Sequence, residues 1–254
     1  KNEVERLTDG NFITNVMGAN MLTAEGNPLG VFYGYKSEGV FTDMEDASKA
    51  NLSVVDNTGR NLRFGAGDMH FADIKVDGII DEHDMTIIGD PNPDIYGAFG
   101  FNVNWKRLSL DAIFTYSLGN DAFNAMRQQM ENGSSLNNQS EAMLRRWTGD
   151  GQATDIPRAT YGDPMGNSRF SDRWIEDASY LKLKQVSLSY SLPVKPRFIQ
   201  GVQVWASVTN VFTMTKYLGT DPEFFYGSQA LCQGIDTGLM PQTRTYNLGI
   251  KLNL

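Results

Sequence analysis

The chain has 254 residues, 41% of them hydrophobic and 20% charged, an ordinary composition that leaves the fold class open. A formal net charge of -8, with basic residues gathered only into isolated pairs such as Arg145-Arg146, argues against a nucleic-acid partner. The single cysteine, Cys232, can form neither an internal disulfide nor a metal cluster, and no apolar run reaches the ~18 residues of a membrane-spanning helix.

The opening residues, KNEVERLTDG, carry no signal-peptide core. Further on, FYGYKSEGVFTD (32–43) is short, glycine-broken and charged, which suits a pair of local strands. The stretch DIKVDGIIDEHD, residues 73–84, resembles a calcium loop in its spacing. In an EF-hand-type loop, positions 1, 3, 5 and 12 supply carboxylates and position 7 a carbonyl, position 9 often acts through water, and glycine turns the chain at 6. Asp73, Asp77, Ile79, Asp81 and Asp84 match as candidate calcium ligands around Gly78. Lys75 counts against the metal, because it puts an ammonium at position 3. The competing reading is an Asp/Gly turn in which Lys75 pairs with an aspartate.

Strands dominate the rest. Phe99, Phe101, Val103 and Trp105 alternate with small or polar residues over 95–105. Past Lys106-Arg107, Leu108, Leu110, Ala112, Phe114, Tyr116 and Leu118 continue the pattern over 108–118. This predicts a hairpin with one apolar face. Residues 120–179 read as a long connection with two short helices. In the first, Phe123, Met126 and Met130 stand at helical spacing; in the second, Asn138 stands three residues ahead of Glu141 as a cap. The segment 181–192 alternates on Leu181 and Leu183, then shifts phase to Val186, Leu188, Tyr190 and Leu192, which predicts a bulge near Lys184-Gln185. Further strands are expected at 202–213, where Trp205 and Val211 blur the polar face, and at 245–254. A polar, glycine-bearing connection, 218–243, separates them.

Periodicity alone fits a soluble β-sandwich as well as a membrane sheet. Alternating short and long connections, strands of ~10 residues and aromatic ends such as Trp105 and Tyr246 favour an outer-membrane barrel. On that reading Phe99, Phe101, Leu110, Phe114, Leu188, Val204, Leu248, Ile250 and Leu252 face lipid. Asn102, Asp111, Ser189, Ser207 and Lys251 face the interior. Five strands cannot close a barrel that needs about 8, so the chain is expected to be the C-terminal piece of something larger.

Several segments together resemble a family. PLGVFYGYKSEGVF (28–41), the aspartate loop followed by TIIGDPNPDIYG (86–97), NNQSEAMLRRW (137–147), SRFSDRWIEDASYLKLKQVSLSY (168–190) and TNVFTMTKYLGTDPE (209–223) occur in the order and spacing of the C-terminal part of SusC/RagA-type TonB-linked outer-membrane proteins. The resemblance spans nearly the whole chain. It implies an all-β fold, the C-terminal portion of an antiparallel transmembrane barrel of about 22 strands with long extracellular loops. With the C-terminus in the periplasm, 95–254 would form five barrel strands with external loops, and residues 1–94 either one large extracellular region, the favoured reading, or an even number of further crossings. It also implies a SusD-like surface lipoprotein as partner and contact with the TonB complex through an N-terminal part absent here. The remaining strands and membrane lipid complete the surroundings. The family frequently carries Asn or Asp where Lys75 stands, so the calcium loop departs at a ligand position.

Catalytic signatures are absent. His70 and His83 lack the H-E-x-x-H arrangement, and no G-x-S-x-G, P-loop or dinucleotide fingerprint occurs. Acid pairs such as Glu45-Asp46 and Glu176-Asp177 read as solvated loop carboxylates rather than glycosidase pairs, which need a separation of roughly 5 to 9.5 Å across a cleft. Trp147, Tyr161, Trp174, Phe224, Phe225 and Tyr226 offer aromatic surface that suits sugars or peptides, without marking any one as a cargo contact. The expected function is TonB-dependent import of oligosaccharides or peptides across an outer membrane, not catalysis. The alternative is a soluble or surface-tethered β-sandwich that binds carbohydrate and calcium.

Overall fold

In a computed structural model of the chain, residues 2–193, 201–224, 227 and 230–253 are described. Most of the expected turn at 193–201, together with Phe225, Tyr226 and Leu254, lies outside them. The chain divides by contact into two units, residues 1–92, 121–176 and 225–239 against 93–120, 177–224 and 240–254.

The second unit is one antiparallel meander of five long strands: Ile95–Trp105, Leu108–Leu118, Tyr180–Leu192, Gly201–Thr215 and Thr245–Asn253, each hydrogen-bonded to the next. Alternating aromatic and β-branched residues favour these extended segments, because their side chains pack on a pleated surface. Between the first two strands the chain reverses in two residues, with Trp105 opposite Leu108 and Lys106 at φ 55. The phase shift foreseen in the third strand is present. Ile113 pairs with Gln185 but Phe114 with Leu183, so Lys184 is the extra residue of a bulge. On its other side Gln185 faces Thr209 and Leu183 faces Phe212, leaving Asn210 and Val211 opposite Lys184. That irregularity, with Asn210 at φ 51, explains why Val211 breaks the alternation.

The first unit gathers three stretches of chain. Phe12–Val16, Ala19–Thr23, Val31–Tyr35 and Met85–Gly89 form a four-stranded sheet. Two hairpin-like pairs add to it, Ser37–Val40 with Met69–Phe71 and Ser53–Val55 with Asn61–Arg63. A third small sheet joins Ile175–Asp177, Asp121–Asn124 and Ile235–Asp236. The helix Met44–Ala50 begins where Asp43 accepts the amide of Asp46 at 2.8 Å and ends at Asn51 in the left-handed conformation. Two apolar clusters hold the unit. One packs Met21, Phe32, Phe123, Phe170, Trp174 and Ile235; the other packs Phe41, Phe64, Met69, Phe71 and Ile80. Each fully buried phenylalanine contributes roughly 1.5–3 kcal/mol.

The helices of 120–179 differ from expectation. Phe123 lies in a strand, paired in parallel with Ile235, and the helix Ala125–Glu131 starts only after Asn124, which accepts the Arg127 amide at 2.9 Å. Long-range strand pairing overrides the local helical spacing. The second segment is a 3-10 turn, Glu141–Arg145, preceded by Ser140 rather than capped by Asn138. The Ser140 hydroxyl instead donates to Glu131 at 3.1 Å.

Candidate functional site

The five-stranded sheet has two chemically opposite faces, fixed by its register. Phe99 opposite Phe114, Leu110 opposite Leu188, and Val204 opposite Ile250 stand on one side. Asn102 opposite Asp111, Ser187 opposite Ser207, and Gln203 opposite Lys251 stand on the other. The residues assigned from sequence to the apolar face share one side of the sheet, and those assigned to the polar face share the other. The polar side is internally hydrogen-bonded: Asn102 donates to Asp111 at 2.5 Å and Gln203 to Ser189 at 3.0 Å. Trp205 is the exception there. Its indole crosses the neighbouring strand over Gly249, where a Cβ would come within 2.5 Å of the ring.

The apolar side is uncovered. Phe99 and Phe114 stack with centroids 5.0 Å apart, yet Phe99 is 52% exposed and Leu248 86%. A sandwich would bury this face against a second sheet about 10 Å away. Among the described residues none does so, which disfavours the soluble alternative. Nor is any helix of the described residues long and apolar enough to cross a membrane.

Sequence reasoning missed an ionic cluster at one end of the polar face. The Lys182 ammonium, 2% exposed, donates to both oxygens of Asp221, at 3.1 and 3.0 Å, and to Glu223 at 2.8 Å. Lys184, displaced by the bulge, grips the same Glu223 at 2.9 Å and reaches Gln242 at 2.8 Å. Burial by itself raises the Asp221 carboxyl, but hydrogen bonds from the Glu223 amide, the Lys182 ammonium and the Gln242 amide hold it below the usual carboxylate range. The available signal was a lysine on the polar phase of a strand, with the acidic pair of DPE beyond the next strand.

The aspartate loop is a closed network of its own. Asp73 accepts the amides of Asp77 at 3.2 Å and Gly78 at 2.8 Å; Asp84, fully buried, accepts those of Lys75 at 3.1 Å and Asp81 at 2.9 Å. Asp77 takes the Ile79 amide at 3.0 Å and the Lys75 ammonium at 3.1 Å, and both contacts hold its carboxyl low. Asp81 is turned to His83, accepting its amide at 2.8 Å. The loop is anchored where Ile80 enters the second apolar cluster and donates its amide to Ser53 at 2.8 Å. No group of three or more acidic, histidine or cysteine side chains among the described residues is arranged to hold a metal. Val76, 83% exposed, sits at φ 58, a conformation costly for a β-branched side chain. Val76→Asn is therefore expected to stabilise the unit by about 1 kcal/mol, read as a raised denaturant midpoint. A lowered midpoint would refute the strain.

The other candidates are dispersed. His70 stacks on Phe41 at 4.5 Å and faces Glu38 at 3.4 Å, apart from His83. Glu45 pairs with Lys49 and Glu176 with Arg127, so neither acid pair forms a cleft. Trp174 is fully buried, its indole N–H donating to Arg169 at 3.0 Å, and Trp147 donates to Thr42 at 3.0 Å. Phe224 packs on Tyr217 at 5.9 Å. Tyr161, 79% exposed, is the loop aromatic left open among those described.

No family model matches the chain. Individual proteins do. It is 30% identical over 268 residues to TonB-dependent receptor P3 of Formosa agariphila, an alignment covering 99% of this chain and 25% of the relative. It is 25% identical to TonB-dependent receptor SusC of Bacteroides thetaiotaomicron, covering 99% and 23%. Among solved structures, the RagAB peptide importer in its 'open-open' state superposes with a TM-score of 0.74 at 26% identity, over 99% of this chain and 25% of that one. The chain thus spans about a quarter of the length of the curated relatives it matches.

Proposed function

On the premise that this chain belongs with the SusC/RagA-type TonB-dependent receptors, to which it is similar over 99% of its length, we propose that it forms part of the wall and the surface region of an outer-membrane importer. The two-faced sheet carries the reading. An exposed apolar band on one side and hydroxyls and amides on the other meet the two demands on a barrel strand, lipid outside and a wetted interior. The sheet ends in two edges, Ile95–Trp105 and Thr245–Asn253. In hydrocarbon each unpaired backbone group costs several kcal/mol, so both edges pair with strands outside this sequence. A complete barrel of about 22 strands fits.

In this reading the first unit and its connections stand outside the cell, and the last strand ends at the periplasmic side. A SusD-like lipoprotein covers the mouth, and TonB drives uptake through the remainder of the protein. The cargo is an oligosaccharide or a peptide; hydroxyl and amide groups such as Asn102, Asn104, Ser189 and Gln203 suit either.

Uptake by cells carrying the complete gene provides the test. A labelled oligosaccharide or peptide should enter these cells, and not cells lacking the gene, and a protonophore should stop its entry. Entry that continues undiminished with the protonophore would overturn energy-dependent import.

A further inference from the structure

The aspartate loop has the outline of a cation site and a donor set that does not fit one. Its carboxylates are ordered without a metal, both oxygens of Asp73 and both of Asp84 by backbone amides, Asp77 by an amide and an ammonium, Asp81 by His83, and each keeps lone pairs beyond these bonds. A calcium ion takes 6–8 oxygens at 2.3–2.6 Å. At position 3, where such a loop offers a carboxylate, this chain brings an ammonium 3.1 Å from Asp77. Asp81 and Asp84 act on that ammonium as well, favouring its charged form after Asp77 itself.

We infer that Lys75 is a tethered cation: its ammonium supplies from within the chain the positive charge that a divalent ion would bring, and the loop 73–84 keeps its form without metal. Two observations meet here. The Lys75 ammonium pairs with Asp77 at 3.1 Å while its amide donates to the buried Asp84 at 3.1 Å, and the backbone is already curled, with Gly78 at φ 79 and Val76 at φ 58. The turn conformation is therefore set by amide-to-carboxylate hydrogen bonds and by the Ile80 anchor, leaving the ammonium to neutralise the cluster. An ion entering the loop would meet Lys75 at close range, and the repulsion grows with the ion's charge. The same geometry makes Lys75 the one residue whose replacement opens the site. With aspartate there, carboxylates occupy positions 1, 3, 5, 9 and 12, with the Ile79 carbonyl at 7. The inference rests on the loop alone and is independent of the transport reading.

The test compares thermal midpoints of the full-length detergent-solubilised protein in millimolar calcium chloride and in a chelator. Wild type and Asp73→Asn should respond alike to calcium. Lys75→Asp should gain a calcium-dependent rise of roughly 3 °C or more, as expected when an ion binds only the folded form. A calcium response in wild type that Asp73→Asn removes would show the native loop holding the ion, and overturn the inference. So would a Lys75→Asp protein indifferent to calcium, because Lys75 would then not be what excludes it. Should Asp73→Asn fail to fold, the Lys75→Asp comparison decides alone.

Discussion

Leu248→Lys should destabilise the folded protein in lipid by ~2–4 kcal/mol, whereas Asn247→Lys, one residue earlier, should cost far less. Leu248 lies near the middle of the strand Thr245–Asn253, opposite Ala206 and 86% exposed on the apolar side. Asn247 pairs with Ser207 on the other side and donates to its hydroxyl at 3.4 Å. In water both positions are open, and a lysine would be tolerated at either. In a bilayer one lysine must lose its hydration and the other need not, so the difference isolates the environment of a face rather than its packing. Denaturant titration of the complete protein reconstituted in vesicles measures it. Equal costs at the two positions would mean that the apolar face meets something other than lipid.

Lys182→Met should cost about 3–5 kcal/mol, because removing one partner of a buried ion pair leaves the remaining charge without compensation. Asp221 would lose both of its contacts to the ammonium, while Glu223 would keep Lys184. Lys184→Met should cost less, since its side chain is 33% exposed and Glu223 then retains Lys182. Adding Asp221→Asn to Lys182→Met should recover much of the loss by removing the stranded charge. Acid provides an independent check. The folded Asp221 carboxyl lies below its usual range, so its stabilisation is complete above the unfolded value and disappears as pH falls through the folded one. Wild type should therefore lose stability in acid more steeply than Lys182→Met. Parallel pH profiles would show that the cluster does not hold this part of the sheet.

The long strands were legible because a single rule, side chains alternating between two environments, runs through each of them. Even its failure could be read. The switch from Leu181 and Leu183 to Val186 and Leu188 marks the bulge at Lys184. The first unit was opaque for the opposite reason. Phe123 carries a helical spacing to Met126 and Met130, but its pairing with Ile235 and its packing on Phe170 at 5.0 Å make it a strand residue. No local pattern announces a partner so far along the chain. The ionic cluster lay between these cases: Lys182 was visible as a polar-phase residue, whereas its reach to Asp221 needed the next strand and its return. In the aspartate loop the sequence exposed both the calcium-like spacing and the misplaced lysine, and the hydrogen bonds show where each carboxylate is spent.

The parallel pairing of Phe123 and Asn124 with Ile235 and Asp236 imposes an order on folding. Residues 1–92 and 121–176 of the first unit precede Ile235, the residue that seals the cluster around Phe32 and Trp174, by a long stretch of chain. Four of the five long strands lie in the interval or earlier. Until Ile235 docks, the first unit has an open apolar seam, and contacts of such sequence separation form late and slowly. Ile235→Asp, which keeps every strand of the chain, should therefore leave that seam open and the folded protein prone to aggregate.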